Sequence, residues 1–221
     1  MNFLEVSSQE IGIAVILFVW IIIVVQFISR KIYEYIRSKN ASHRVAVYYA
    51  RKLIHVLAGG LAAIVVPFFF KTPLIPAIFA GILAILTYIP HKTGKLMKWF
   101  QVPENIYEVH FCIMWGVVMT VAWLIFDGNF FYGVLPASFM AFGDGITGVV
   151  RNLIYKRRTK AWIGNIAMAF FCIPVGFLLA GYRGVLAGIL ASIVEHFEFG
   201  VLDDNITVPL IALLTLIFIP I

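Results

Sequence analysis

The run Phe139-Met140-Ala141-Phe142-Gly143-Asp144-Gly145-Ile146-Thr147-Gly148-Val149-Val150-Arg151 can be read in two ways, and the fold follows from which one holds. Its glycines at 143, 145 and 148 match the G-x-G-x-x-G spacing of dinucleotide sites. That spacing has meaning only between a strand and a helix of a βαβ unit. Here the flanks are long apolar runs without strand alternation, so the run reads as a membrane-compatible helix with a carboxylate set inside it. The first fixed charge after Asp144 is Arg151, which puts the carboxylate roughly 10 Å inside that edge at 1.5 Å per residue. A carboxylate at such depth costs about 2.5 kcal/mol or more and is expected to be paired, metal-bound or facing a wet cavity. On a helix, Asp144, Thr147, Gly148 and Arg151 share one face. The glycines fit either a helix-packing seam or a close approach of a ligand to the backbone.

Composition extends this reading to the whole chain. Hydrophobic residues make up 62% and charged residues 13% of the 221 positions, and the mean hydropathy is +0.97. These values exclude an ordinary soluble domain and predict one all-α, polytopic membrane domain over 1–221. At about 20 residues per span, seven or eight helices use nearly all of it. The expected spans are 11–29, 52–70, 74–90, 109–126, 131–150, 165–182, 184–199 and 206–221, with the basic, aromatic segment 30–49 lying along the interface. Cys112 and Cys172 sit in apolar runs without metal-ligand spacing and read as small core residues. Glu5 and Glu10 stand where a secretory signal would carry basic residues, so the N-terminal run is expected to be a span.

Of the 17 basic residues, all except Lys71 and Arg183 fall in alternate loops, after the first, third and fifth spans. By the positive-inside rule those loops are cytoplasmic and the N-terminus is outside. The polar residues able to do chemistry then gather at the cytoplasmic helix ends. A transporter places its binding residues near the midplane, so this distribution favours an enzyme that takes a soluble reagent from the cytoplasm and a lipid from the bilayer.

Four constellations carry the chemistry. Arg51, Lys52 and His55 open the second span at spacings that let them address one anion, although a basic pair at a cytoplasmic boundary also satisfies topology alone. The loop from Lys156 through Arg157 and Arg158 to Lys160 leads to Gly164 and Asn165 at a helix start, a place suited to phosphate or to anionic lipid head groups. Glu195, Glu198, Asp203 and Asp204 crowd four carboxylates into ten residues, beside Asn205. They would repel one another without a shared cation, and two or three oxygen ligands with retained waters suit Mg²⁺. One residue of Asp203-Asp204-Asn205 is expected to serve only as a helix cap. Glu104 to Glu108 is the weakest constellation, and His91-Lys92-Thr93-Gly94-Lys95 lacks Walker spacing and reads as a basic loop. Acids for a metal, bases for phosphates and an apolar body for a lipid are the parts phosphoryl transfer requires.

Arg51-Lys52-x-x-His55, Gly143-Asp144, Lys160-x-x-x-Gly164, Glu195 and Asp204-Asn205-x-x-x-Pro209-Leu210 stand in an order that resembles the polyprenol kinase family, which includes dolichol kinase and phytol kinase. Where that family usually has Lys-Ser/Thr-x-Glu-Gly-Ser/Thr, this chain reads Lys160-Ala161-Trp162-Ile163-Gly164-Asn165, and Thr147 replaces its usual Ala. The resemblance implies a kinase-like core over 51–210 that transfers the γ-phosphate of CTP to the terminal hydroxyl of a long isoprenoid alcohol, with Mg²⁺. It implies Asp144 and Asp204 as catalytic metal ligands, with Asp203 as a third candidate. Arg51, Lys52, His55, Lys160, Gly143, Gly145, Gly164, Asn165 and Asn205 would hold nucleotide and phosphate, and Glu195 or Asp203 would orient the hydroxyl or act as base. A cytidylyltransferase making a CDP-lipid needs the same grip on metal and triphosphate, and a non-enzymatic transporter is the alternative of another class. The expected partners are CTP, the alcohol and the bilayer, without nucleic acid.

Overall fold

The structure is a computed structural model that describes residues 6–157, 159–197 and 202–220. Glu5, Arg158, Glu198, Phe199 and Ile221 lie outside the described residues. The described chain forms seven helices: α1 Ser8–Ser38, α2 His43–Phe69, α3 Leu74–Thr93, α4 Tyr107–Ile125, α5 Phe131–Tyr155, α6 Trp162–Val194 and α7 Asp204–Phe218. The first six are long and apolar enough to cross a membrane, and α7 is a shorter apolar helix.

Two boundaries differ from the sequence expectation. The segment 30–49 is not a separate interfacial helix: α1 runs on to Ser38, and α2 begins at His43 under a Ser42 cap. The Arg30–Ser38 turns lack apolar continuity yet stay helical through local support such as the exposed Arg30–Glu34 pair at 3.0 Å. At the other end of α1, Ser7 and Glu10 form a capping box. Glu10 also accepts the Lys71 amide at 2.7 Å, which ties the start of α1 to the end of α2.

The second difference explains the count of spans. α6 is not straight: Ala180 (φ −146°, ψ 20°) and Gly181 (φ 58°, ψ −140°) break it. A positive φ with that ψ is open to glycine and closed to residues with a Cβ. Its two arms fold back antiparallel, since Gly176 lies against the Gly184 backbone, Gly188 against Cys172, and Asn165 bonds to Ser192. The single helix is therefore a hairpin that turns at Ala180–Gly181, close to the boundary expected between the spans 165–182 and 184–199, and its second arm ends at Val194.

α5 is the hub. In its most apolar stretch 78% of residues are buried, against 11% in α1. One apolar core joins Phe111, Trp115, Met119, Met140 and Ala141 from α4 and α5. The other joins Phe139, Met168, Cys172, Ala187 and Leu216 from α5, α6 and α7. The outer surface is apolar too, with Phe170, Leu178 and Phe218 at least three-quarters exposed, as a bilayer-facing surface requires.

Single π-helical turns interrupt α1 (Val24–Ile28), α2 (His55–Gly60) and α5 (Phe139–Gly143). Such turns leave carbonyls without their i+4 donors. Indoles take them up: Trp99 donates to Val25 at 2.9 Å, Trp20 to Leu57 at 2.8 Å and Trp115 to Gly59 at 3.0 Å. The turns in α2 and α5 pack against each other, with Gly60 under the Phe142 ring. His55 opens one of them and Asp144 follows the other.

Candidate active site

At the end of the bundle opposite Glu10 and Lys71, α2, α5, α6 and α7 bring their charged residues together. Asp144 is buried, and its Oδ2 takes a short hydrogen bond from Lys52 and lies 3.4 Å from His55 Nδ1. Its Oδ1 is buried without a hydrogen-bond partner. His55 is held flat by the Phe111 ring, with centroids 4.2 Å apart.

A second network abuts the first. Arg151, 2% exposed, grips both oxygens of Glu195 at 2.8 Å and also donates to Asn165 Oδ1 at 2.7 Å and to the Ala161 carbonyl at 2.9 Å. Asn165 returns a bond to Glu195 at 3.0 Å. Lys160 spans Glu195 Oε1 at 3.0 Å and Asp204 Oδ2 at 3.3 Å. Burial works against the Lys160 ammonium, but Asp204 and Glu195 outweigh it and hold its pKa above the usual lysine value.

Carboxylate oxygens of Asp144, Glu195 and Asp204 lie within 4.8 Å of one another. Three acids this close are tolerated because Lys52, Arg151 and Lys160 interleave with them. Glu195 has both oxygens engaged by Arg151, whereas Asp144 keeps a free one. Asp144 and Asp204 therefore fit Mg²⁺, which takes one or two carboxylates and completes its shell with water and phosphate oxygens.

Two cavities take part of their lining from these residues and their neighbours. A polar one of about 320 Å³, open solvent included, is lined by Arg51, Lys52, Arg151, Lys160, Glu195 and Asp204. Its cations outnumber its acids, which suits an anionic ligand. Arg51 lies over the Tyr107 ring at 4.0 Å and keeps a buried Nε without a hydrogen-bond partner. The other cavity is an apolar channel of about 900 Å³, open solvent included, between α1, α2, α3 and α4, with His55 and Glu108 in its lining. Lys52 and His55, both beside Asp144 Oδ2, line one cavity each.

The structure thus gathers Arg51, Lys52, His55, Asp144, Lys160, Asn165, Glu195 and Asp204, and it corrects the rest. Asp203 is not in the acid cluster: it caps α7 through the Asn205 amide and binds His110 at 2.8 Å. Burial raises its pKa, against the pull of His110. Asn205 donates to the Tyr107 carbonyl at 3.3 Å and joins α7 to α4. The glycines serve packing, with Gly143 against Cys172 and Met168, Gly145 against Val56 and Gly164 against Arg151. The Gly164 amide is already bonded to the Ala161 carbonyl at 3.1 Å. Glu195 is locked by Arg151, so neither it nor Asp203 is placed to serve as a base at the apolar channel. Tyr48, which lines the polar cavity with the Lys52 ammonium over its ring, Tyr107 and His110 had no motif to reveal them, and Arg151 was visible only as a residue on the Asp144 face.

A comparison with known proteins follows this geometry. The chain is similar to phytol kinase. The relative is phytol kinase 1, chloroplastic, of Arabidopsis thaliana, 24% identical over 200 residues, covering 75% of this chain and 64% of the relative. The chain thus spans a little under two thirds of that protein's length. The match agrees with the resemblance to the polyprenol kinase family read from the motifs, of which phytol kinase is a member. No family model and no solved structure matches the chain.

Proposed function

We propose that the protein is a membrane kinase that moves a phosphoryl group from a nucleoside triphosphate, CTP by the family resemblance, to the terminal hydroxyl of a long isoprenoid alcohol of the polyprenol type. The observation that carries this is the place of Asp144, beside both Lys52 of the cation-rich cavity and His55 of the apolar channel. The similarity to a phytol kinase supports the same reaction class.

In this reading the triphosphate lies along Arg51, Lys52 and Lys160, which neutralise its oxygens, Arg51 by its planar fork. The isoprenoid tail fills the apolar channel and leaves its hydroxyl beside His55. Asp144 Oδ2 lies 3.4 Å from Nδ1, where it favours the imidazolium, and Nε2 takes the hydroxyl proton as the alkoxide oxygen bonds to the γ-phosphorus and CDP departs with the bridging oxygen. Asp144 and Asp204 would hold Mg²⁺, which when bound offsets the charge on the phosphates. Arg151 and Glu195, engaged with each other at the wall of the cation-rich cavity, orient Lys160. Eight membrane crossings, with the N-terminus outside and the site at the cytoplasmic face, accord with the basic loops.

The test is purified protein in lipid nanodiscs with γ-labelled CTP, ATP or GTP, Mg²⁺, and phytol, geranylgeraniol or dolichol. Label is expected in the lipid, with CDP as co-product, and EDTA should abolish the transfer. Release of pyrophosphate from α-labelled CTP, with the label entering a lipid phosphate, would select the cytidylyltransferase instead. Transfer to no alcohol from any donor would reject both.

A further inference from the structure

His55 is not the only polar residue in the lining of the apolar channel. Glu108, 8% exposed, stands at the same end, on the α4 face that also carries Phe111, Cys112 and Trp115 toward the channel. A carboxylate facing an apolar cavity in a membrane helix is costly unless it has a task. Its Oε1 is fully engaged, by His91 Nε2 at 2.5 Å and Gln101 Nε2 at 2.7 Å. Gln101 is itself fixed by the Thr87 carbonyl at 2.8 Å and the Met97 amide at 2.9 Å. The rigid network leaves one atom over: Glu108 Oε2 is buried and has no hydrogen-bond partner.

We propose that Glu108 Oε2 is the anchor for the head group of the channel's ligand, and that it restricts the channel to single-chain lipids ending in a hydroxyl. A hydroxyl can donate to this oxygen and satisfy it. An ether has no proton to give, and a lipid phosphate or carboxylate would bring a second negative charge against it in a low-dielectric site. The depth suits a long chain: from His55 to Val66, both lining the channel, α2 covers about 16 Å at 1.5 Å per residue. The proposal rests on the lipid side of the kinase reading and adds a direction to it. Glu108 holds the alcohol for His55 and repels the phosphorylated product, which favours release. Glu108 is in this sense a binding and specificity residue whose contact is with the substrate oxygen.

The measurement is equilibrium binding without nucleotide, read from Trp115, whose indole is fixed to Gly59 beside the channel. The probes are geranylgeraniol, its methyl ether and geranylgeranyl phosphate, with the full chain in nanodiscs. The wild type should bind the alcohol about tenfold to a hundredfold more tightly than the ether or the phosphate, the span of one hydrogen bond to a charged acceptor. Glu108→Gln keeps the shape but turns an N–H toward the channel, so the ether and phosphate should approach or pass the alcohol. Ala62→Phe, which fills the channel farther along, should weaken alcohol and ether together and leave their ratio unchanged. Equal binding of the three probes by the wild type, or an unchanged ratio in a folded Glu108→Gln protein, overturns the proposal. Because no turnover is involved, a kinase assay that fails while this selectivity holds rejects only the reaction, and the converse rejects only the anchor.

Discussion

The pair Lys52–Asp144 allows stability and activity to be separated. Both side chains are buried, 5% and 1% exposed, so each charge relies on the other. Asp144→Asn preserves shape but leaves the Lys52 ammonium buried without its counter-charge. Lys52→Met leaves the carboxylate with only His55 at 3.4 Å. Breaking a buried pair from one side costs about 3–5 kcal/mol, whereas replacing both partners by neutral groups of similar volume is near neutral. Each single variant is therefore expected to lose roughly 3 kcal/mol, and the double variant Lys52→Met/Asp144→Asn to return to within about 1 kcal/mol of wild type, a coupling of several kcal/mol. Reversible unfolding in mixed micelles measures the four corners of the cycle. Phosphoryl transfer should behave differently, with Asp144→Asn and the double variant both slower by about a hundredfold or more, because the imidazole has lost its partner. Additive stabilities, within about 0.5 kcal/mol, would refute the pairing, and near wild-type turnover in Asp144→Asn would refute the catalytic role.

Arg151→Lys keeps the charge but cannot reproduce the fork on Glu195 or the bonds to Asn165 and the Ala161 carbonyl. It should lose about 2–3 kcal/mol of stability and most of the activity, and wild-type values for both would show the geometry to be dispensable. Gly184→Ala would drive a Cβ into the Gly176 backbone, so the α6 hairpin should fail by about 3 kcal/mol or more, seen as lost thermal stability. An unperturbed melting curve would mean that the two arms do not meet there. In a chain lacking Cys112 and Cys172, Lys71→Cys should react with an impermeant maleimide added to intact cells and Lys98→Cys only after lysis. The reverse pattern would invert the proposed orientation.

Legibility in the sequence divides along the range of the interactions. The apolar runs, the basic loops and Asp144 follow from local composition, and so do the two arms of α6, because Gly181 and its neighbours interrupt hydropathy where the backbone turns. The partner of a buried charge does not follow. Asp203 and Asp204 are adjacent acids at one helix start, and a cap was expected of one member of that stretch. Which one turns inward depends on His110, 93 residues away along the chain, engaging Asp203. Glu108 belongs to the weakest of the constellations because its partners His91 and Gln101 lie well before it along the chain, and only the packing of α3 on α4 brings the three together.

The same reasoning explains why the site tolerates so many charges. Lys52, Arg151 and Lys160 balance Asp144, Glu195 and Asp204, so this inner set carries no net charge to repel a ligand or force a metal into place. Arg51 stands outside that balance, stacked on Tyr107 with a buried Nε still lacking an acceptor. An unmatched guanidinium donor at the wall of a cation-rich cavity is stabilised by an arriving anion more than by anything already in the fold. Its substitution should therefore weaken nucleotide affinity and leave the unliganded protein nearly as stable as before.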